Sequence, residues 1–98
     1  MEIRYRNKKL EKICTDIQYA EKTYGVEMAE KIHLRIEQID AADTVDMLVE
    51  FRIGRCHPLS SNRKGQFAMD LVHPKRLIFE KVGSTIQIAR MIEIVDYH

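Results

Sequence analysis

The apolar residues of this chain change their spacing at Gly54, from the period of an α-helix to that of a β-strand. Up to Gly54 they recur every three or four positions, whereas beyond it Phe67, Met69 and Leu71 alternate with other residues. A helical half followed by a sheet predicts an α+β fold, with an N-terminal strand and a helical hairpin packed on one face of an antiparallel sheet. Because the chain has 98 residues and no Pro-, Gly- or Ser-rich linker, we expect one domain over residues 1–98.

The first half carries local signals for a short strand, EIRY, and for a hairpin of two amphipathic helices. Residues suited to cap, interrupt or end these helices stand, in order, at Asn7, Thr15-Asp16, Gly25 and Asp43 or Thr44. The second helix is predicted from about Val26 to Ala41 and should pack antiparallel to the first, because the connection is short. A brief third helix is expected around Met47 and Leu48.

Three further strands are expected in the second half. They are the alternating segment QFAMDL, then RLIFEKV, and finally the long TIQIARMIEIV. His73-Pro74 turns the chain between the first two, and Gly83-Ser84 is a tight-turn signal between the last two. Turns this short make neighbouring strands antiparallel, which leaves one face of the sheet under the helices and the other available.

The formal net charge of +1 hides a separation of charge along the chain. Residues 27–50 carry seven acids against two bases, a net charge of −5, and residues 52–81 carry seven bases against two acids, a net charge of +5. The basic segment is a candidate surface for a polyanion. The alternative is a set of solvated strand edges on which Lys and Arg prevent aggregation, and charge alone favours neither interpretation.

The two cysteines and the absence of long apolar runs indicate the cellular compartment. Cys14 and Cys56 do not form a CxxC pair, so we expect buried free thiols in a reducing compartment. Cys56, His57 and His33 lack the spacing of metal ligands, and we expect no metal. No apolar run approaches the ~20 residues of a membrane span, and the start MEIRYRNKK lacks the apolar segment of a signal peptide. We therefore expect a cytoplasmic protein with no membrane partner.

Three segments concentrate residues for acid–base chemistry and phosphate binding, namely CHPLSSNRKGQF, HPKRLIF and the terminal DYH. By itself the first is compatible with an ordinary polar loop, in which Pro58 and Gly65 set the turns. In this order the three resemble the HigB branch of the RelE/ParE toxin superfamily, the plasmid maintenance killer protein family. The elements that carry the resemblance are His57-Pro58-Leu59, Arg63, Gly65, Phe67, Arg76-Leu77-Ile78-Phe79 and Asp96-Tyr97-His98.

The resemblance implies the toxin of a type II toxin–antitoxin system, an mRNA interferase that cleaves messenger RNA on the ribosome and so inhibits translation. In such ribosome-dependent endoribonucleases the ribose 2′-oxygen attacks the adjacent phosphate, and no metal or other cofactor is required. That chemistry needs a general base, a general acid and cations for the phosphate. The matching catalytic residues are His57, Arg76, Asp96, Tyr97 and His98, and the candidate RNA-binding residues are Arg55, Arg63, Lys64 and Lys75.

Each catalytic candidate has an expected role under this resemblance. His57 and His98 suit the two proton transfers because an imidazole titrates near neutral pH, and either of them is the base. Asp96 orients an imidazole or takes a proton itself. Tyr97 stacks on a splayed base or donates a hydrogen bond, and Arg76 binds the phosphate.

The resemblance also implies three partners: the ribosome, mRNA, and a cognate antitoxin, commonly a helix-turn-helix protein of the HigA type. The alternative keeps the fold without RNA cleavage, so that the chain acts by binding, as a ParE-type inhibitor of DNA gyrase or only as the partner of an antitoxin. The sequence departs from the HigB pattern at Ser60, where many relatives have lysine, at Lys75, where many have an aromatic residue, and in the short connection Val82 to Thr85.

Overall fold

The computed structural model describes residues 1–96, in which four α-helices precede most of a five-stranded sheet. The helices are α1 (Lys8–Thr15), α2 (Ile17–Tyr24), α3 (Val26–Ala41) and α4 (Val45–Glu50). The strands are β1 (Glu2–Tyr5), β2 (His57–Pro58), β3 (Gln66–Asp70), β4 (Lys75–Val82) and β5 (Ile88–Asp96), and short 3₁₀ turns lie at Ile53–Arg55 and Ser61–Arg63. Within this range no helix is long and apolar enough to cross a membrane.

Side-chain caps set the helix ends where the sequence indicated them. Asn7 Oδ1 accepts a hydrogen bond at 2.8 Å from a backbone N–H in the first turn of α1. Asp16 ends α1 and caps α2, so this position separates two helices. Gly25, with a φ of +90°, joins α2 to α3, and Thr44 caps α4. The side chains of Asn7, Asp16 and Thr44 thus satisfy N–H groups that a helix start leaves without intrahelical partners.

The strands form one sheet in the order β1-β5-β4-β3-β2. The pairs β2–β3, β3–β4 and β4–β5 are antiparallel, as the short connections predicted, but β1 pairs with β5 in parallel. The sheet is therefore mixed at this edge and not wholly antiparallel. The reason is that β1 reaches β5 through the helices and three strands, and a connection that long permits parallel pairing.

The edge strand β2 lies in a segment that resembled a polar loop in the sequence. His57 and Pro58 are opposite Ala68 and Phe67 of β3. So short a strand has no periodicity of its own, and only its pairing with a distant segment reveals it.

The connection between β4 and β5 is longer than the tight turn expected at Gly83-Ser84. β5 begins at Ile88, and residues 83–87 form the connection. The side chain of Gln87 is buried and accepts a hydrogen bond from the Val45 N–H at 2.8 Å. This contact holds the connection against the start of α4. The first residues of the predicted strand TIQIARMIEIV therefore belong to the connection and not to β5.

The helices cover one face of the sheet. The larger core joins buried residues of α1 to α4 to sheet residues such as Leu77, Phe79 and Met91. A smaller cluster of Ala68, Ile78 and Ile92, with Leu59 and Val95 packed against it, lies on the opposite face because side chains alternate along a strand. This second face, called the open face below, carries much of the candidate site.

The two cysteines are buried free thiols, as expected. Cys14 is 2% exposed in α1, and Cys56 is 3% exposed just before β2. Burial raises the pKa of each thiol to about 12, because the interior disfavours a thiolate. Both groups therefore stay protonated at neutral pH.

Candidate active site

The candidate residues come together at one end of the sheet. Antiparallel pairing sets the end of β3, the start of β4 and the end of β5 side by side, so that Asp70 is opposite Arg76 and Lys75 is opposite Asp96. His57, at the start of β2, is opposite Ala68 and therefore close to the same end. Strand pairing thus joins the segments before and after the His73-Pro74 turn into one cluster.

The ring of His57 is oriented by the chain that precedes it. Its Nδ1 lies 2.9 Å from the backbone oxygen of Arg55, and because a carbonyl only accepts hydrogen bonds, Nδ1 carries the hydrogen. In the neutral ring this leaves a lone pair on Nε2, which lies 3.5 Å from Nη1 of Arg76. The imidazole therefore presents a proton acceptor next to a guanidinium.

Arg55 is held in place through its side chain. Its guanidinium donates two hydrogen bonds to the carboxylate of Asp70, at 2.6 and 2.9 Å. The hydrogen bond from Arg55 is the main reason that the pKa of Asp70 lies below its usual value. The φ of Arg55 is +54°, a left-handed conformation that residues other than glycine seldom adopt.

Arg35 of α3 reaches the same corner from the helix layer. Its Nε donates a hydrogen bond to the backbone oxygen of Asp70 at 2.7 Å, and its Nη1 donates one to Gln38 at 3.0 Å. The side chain passes so close to Gly54 that a Cβ atom there would lie 2.6 Å from Arg35 Nε. A side chain at Gly54 would therefore displace the guanidinium of Arg35, and φ there is also positive at +58°, which favours glycine.

Two further candidate cations are engaged in ion pairs. Nζ of Lys75 lies 2.5 Å from a carboxylate oxygen of Asp96, and this hydrogen bond raises the pKa of Lys75. Arg63 pairs with Glu93 of β5 and also donates a hydrogen bond to Gln66 at 3.0 Å. A phosphate that binds at either cation must compete with a carboxylate.

Two cavities meet at Arg76. The first, of about 410 Å³, lies beside the β3–β4 turn and is lined by Arg55, Asp70, Leu71, His73, Pro74, Lys75 and Arg76. The second, of about 280 Å³, lies on the open face and is lined by Leu59, Arg63, Arg76, Ile78, Val95 and Asp96. Five of the seven residues that line the first cavity are charged or polar, whereas the second combines charged groups with three aliphatic side chains.

Comparison with known proteins identifies the architecture. No protein-family model matches the sequence, and no curated protein sequence matches it. Solved structures do match the fold, among them three that cover 100% of this chain. A YoeB/ParE toxin from Agrobacterium tumefaciens is 16% identical, is matched over its full length and gives a TM-score of 0.67. The YoeB dimer and the YoeB–YefM complex from Staphylococcus aureus are 20% and 22% identical, each with 97% of that chain covered and a TM-score of 0.63.

The chain has the fold of the YoeB/ParE toxins. This confirms the RelE/ParE-like architecture that the sequence resemblance implied, with helices packed on one face of the sheet. At identities of 16% to 22%, the structural similarity establishes the fold and does not extend to the activity.

Within this YoeB/ParE fold, most of the predicted site residues are neighbours. The residues that line a cavity or contact a residue lining one are Arg55, His57, Arg63, Lys75, Arg76 and Asp96. Lys64 is exposed next to Arg63 and lines neither cavity. Tyr97 and His98 lie outside the described residues. In residues 1–96, no group of three or more His, Cys, Asp or Glu side chains is arranged to hold a metal ion.

Sequence reasoning missed two residues of this cluster. Asp70 is one of two acids in the basic segment, and Arg35 is one of two bases in the acidic segment. That position was the available signal for Asp70, because an acid in a basic segment has cations close to it in the sequence, whereas the partner of Arg35 lies 35 residues away and no local signal marks it. Asp70 is opposite Arg76 in the sheet and bonded to Arg55, and Arg35 is bonded to Asp70.

Proposed function

We propose that this chain is the toxin of a type II toxin–antitoxin system, of the HigB type, and cleaves mRNA on the ribosome. The observation that carries the proposal is the contact between His57 and Arg76, in which a ring nitrogen able to accept a proton lies 3.5 Å from a guanidinium. The two residues belong to different segments of the HigB-like pattern. The fold shared with YoeB/ParE toxins supports the same conclusion.

In the proposed reaction the ribose 2′-oxygen attacks the adjacent phosphorus, the bond to the 5′-oxygen breaks, and a 2′,3′-cyclic phosphate forms. The Nε2 lone pair of His57 accepts the 2′-hydroxyl proton, because Nδ1 already donates to a carbonyl. Arg76 compensates the negative charge that develops on the phosphoryl oxygens. The leaving oxygen takes a proton from an acid, for which His98 is the candidate, with Asp96 and Tyr97 as supporting groups.

The two cavities beside Arg76 suit the nucleotides on either side of the cleaved bond. A phosphate at Arg76 has the aliphatic side chains of Leu59, Ile78 and Val95 on one side, a surface suited to a base. On the other side it has the cavity that contains Lys75 and His73, which suits a further phosphate. An RNA strand likewise presents apolar base faces and phosphates in turn, which matches the aliphatic cavity and the charged cavity on either side of Arg76.

The proposal includes an antitoxin partner. YoeB from Staphylococcus aureus was solved in complex with YefM, and we propose an equivalent partner for this chain, with the helix-turn-helix HigA type as the form implied by the sequence resemblance. Ribosomes and mRNA are the other partners, which agrees with a cytoplasmic location. Size-exclusion chromatography of this chain mixed with the product of a neighbouring gene should give one complex, and two separate peaks would contradict this part of the proposal.

The experiment that tests the function is primer extension on a reporter mRNA in a purified translation system. The parent chain should produce new cuts only when ribosomes translate the message. His57→Ala should abolish them. The matched control is His33→Ala, because His33 is an exposed histidine of α3 whose ring contacts Glu37 and lies outside both cavities.

A second variant in the same assay, lacking Tyr97 and His98, tests the terminal residues. Loss of cuts with the fold retained would assign them to the reaction. Intact mRNA with folded parent protein would reject the nuclease, and DNA gyrase or an antitoxin then becomes the binding partner to assay.

A further inference from the structure

We propose that Asp70 and Arg55 are positioning residues for His57, because their ion pair holds the Arg55 backbone oxygen where it fixes the ring hydrogen on Nδ1. The inference rests on the proposed function, in which the lone pair on Nε2 accepts the 2′-hydroxyl proton. Neither residue belongs to the His-Pro-Leu segment that carries the sequence resemblance.

Two contacts in series link Asp70 to the ring of His57, and a third links the ring to Arg76. The Asp70 carboxylate accepts hydrogen bonds from Arg55 Nε and Nη2 at 2.6 and 2.9 Å. The backbone oxygen of the same Arg55 accepts one from His57 Nδ1 at 2.9 Å. The other ring nitrogen lies 3.5 Å from Nη1 of Arg76, which is the residue opposite Asp70 in the sheet. Asp70 is therefore connected to both groups of the proposed reaction.

The backbone before His57 needs a contact of this kind. Arg52, Gly54 and Arg55 have positive φ values of +52°, +58° and +54°. Such conformations are unfavourable at the two arginines and persist only where the surrounding structure holds them. A bidentate pair fixes the Arg55 side chain in both direction and rotation, so it also limits the positions that the Arg55 carbonyl can take.

Asp70 is itself anchored well enough to act as a fixed point. Its backbone belongs to β3, and Arg35 of α3 donates to its backbone oxygen at 2.7 Å. The side chain of Arg55 is 58% exposed, and ion pairs this exposed usually contribute little to stability. We therefore expect Asp70 to control the orientation and tautomer of His57 more than the stability of the fold.

The direct test is the tautomer of His57 in the Asp70→Asn variant, measured from the ¹⁵N chemical shifts of the two ring nitrogens. The parent should carry its hydrogen on Nδ1, and D70N should show a mixture with a large share on Nε2. Arg55→Gln removes the guanidinium but keeps the backbone oxygen, so it should give the same mixture. Cleavage by both variants should fall about tenfold to a hundredfold, the size of loss expected when a reacting group is misplaced.

Glu80→Gln is the matched control. Glu80 pairs with Arg90 at 2.8 Å between neighbouring strands, its side chain is 32% exposed against 35% for Asp70, and it does not contact the His57 network. E80Q should keep both the Nδ1 hydrogen and the parent cleavage rate.

Retention of the Nδ1 hydrogen in folded D70N and R55Q would overturn the proposal, as would an equal tautomer change in E80Q. If D70N fails to fold, R55Q alone decides. The tautomer is measured without RNA, so it decides the positioning role even if the parent chain does not cleave mRNA. That second result would reject the proposed function separately.

Discussion

At the scale of the residue, the geometry of the hydrogen-bond donors of Arg76 matters more for phosphate binding than its positive charge alone. Arg76 lines both cavities and lies beside His57, where a planar guanidinium can bond two phosphoryl oxygens at once. A lysine at this position keeps the charge but presents a single ammonium group. The shape of the donor is therefore the property to vary.

We expect Arg76→Lys to lower the rate of mRNA cleavage by about a hundredfold, as when one preorganised donor to a developing charge is removed. Primer extension over a time course measures the rate. Arg90→Lys is the control, because Arg90 pairs with Glu80 away from His57. An undiminished rate in R76K, or an equal loss in R90K, would show that the guanidinium of Arg76 has no special part.

The cysteines make a second prediction at this scale. Because burial raises the pKa of Cys14 and Cys56 from 9.0 to about 12, the folded chain keeps protons that the unfolded chain releases. Their contribution to stability is complete below pH 9 and declines as the pH rises toward 12. At mildly alkaline pH, iodoacetamide should leave both thiols of the folded chain unmodified and alkylate both in urea. Mass spectrometry of the intact protein measures this, and rapid native alkylation would contradict it.

At the scale of the element, sequence predicted well wherever a local signal decides the structure. The caps at Asn7, Asp16 and Thr44 and the range of α3 follow from residues within one helical turn of each boundary. β2 and the start of β5 depend on pairing and contacts with distant segments, which no local pattern encodes. The same holds for the cluster around His57. Its motif residues could be predicted from the sequence, whereas the part of Asp70 became visible only from the pairing of β3 with β4.

Gln87 offers the element-scale prediction, because it holds the β4–β5 connection against α4. Replacing it with leucine leaves the buried Val45 N–H without this acceptor, which should lower the free energy of unfolding by about 1–3 kcal/mol. Urea unfolding followed by circular dichroism measures the change. Ile86→Ala is the control, since the neighbouring Ile86 is 84% exposed and its loss should change stability by less than about 0.5 kcal/mol. Equal stability of Q87L and the parent would show that the contact is dispensable.

At the scale of the whole molecule, the charge separation along the chain becomes a prediction about binding. Residues 52–81 carry a net charge of +5 and include His57 and Arg76 of the candidate site. Residues 27–50 carry −5 and lie mostly in α3 and α4. Under the proposed function the chain binds ribosomal phosphates, which releases counterions, so affinity for ribosomes should fall steeply as salt rises. Loss of one lysine from the basic segment should therefore change the salt dependence of binding, whereas loss of one from the acidic segment should not.

We expect Lys64→Gln to reduce the slope of log affinity against log salt by about 1, the amount for one lost phosphate contact. Lys31→Gln, a change on α3, should leave the slope unaltered. Ribosome pelleting over a series of salt concentrations measures both variants. A slope that neither substitution changes would place the binding surface elsewhere.

The parallel pairing of β1 with β5 has a consequence during synthesis. β1 precedes every helix along the chain, yet its partner follows all the other strands, so the β1 backbone stays without its sheet partner until Ile88 to Met91 have been made. A premature stop codon before this point leaves both β1 and one edge of β4 exposed, and open strand edges promote aggregation. Nonsense mutations that remove Ile88 to Met91 are therefore expected to give insoluble fragments that are degraded.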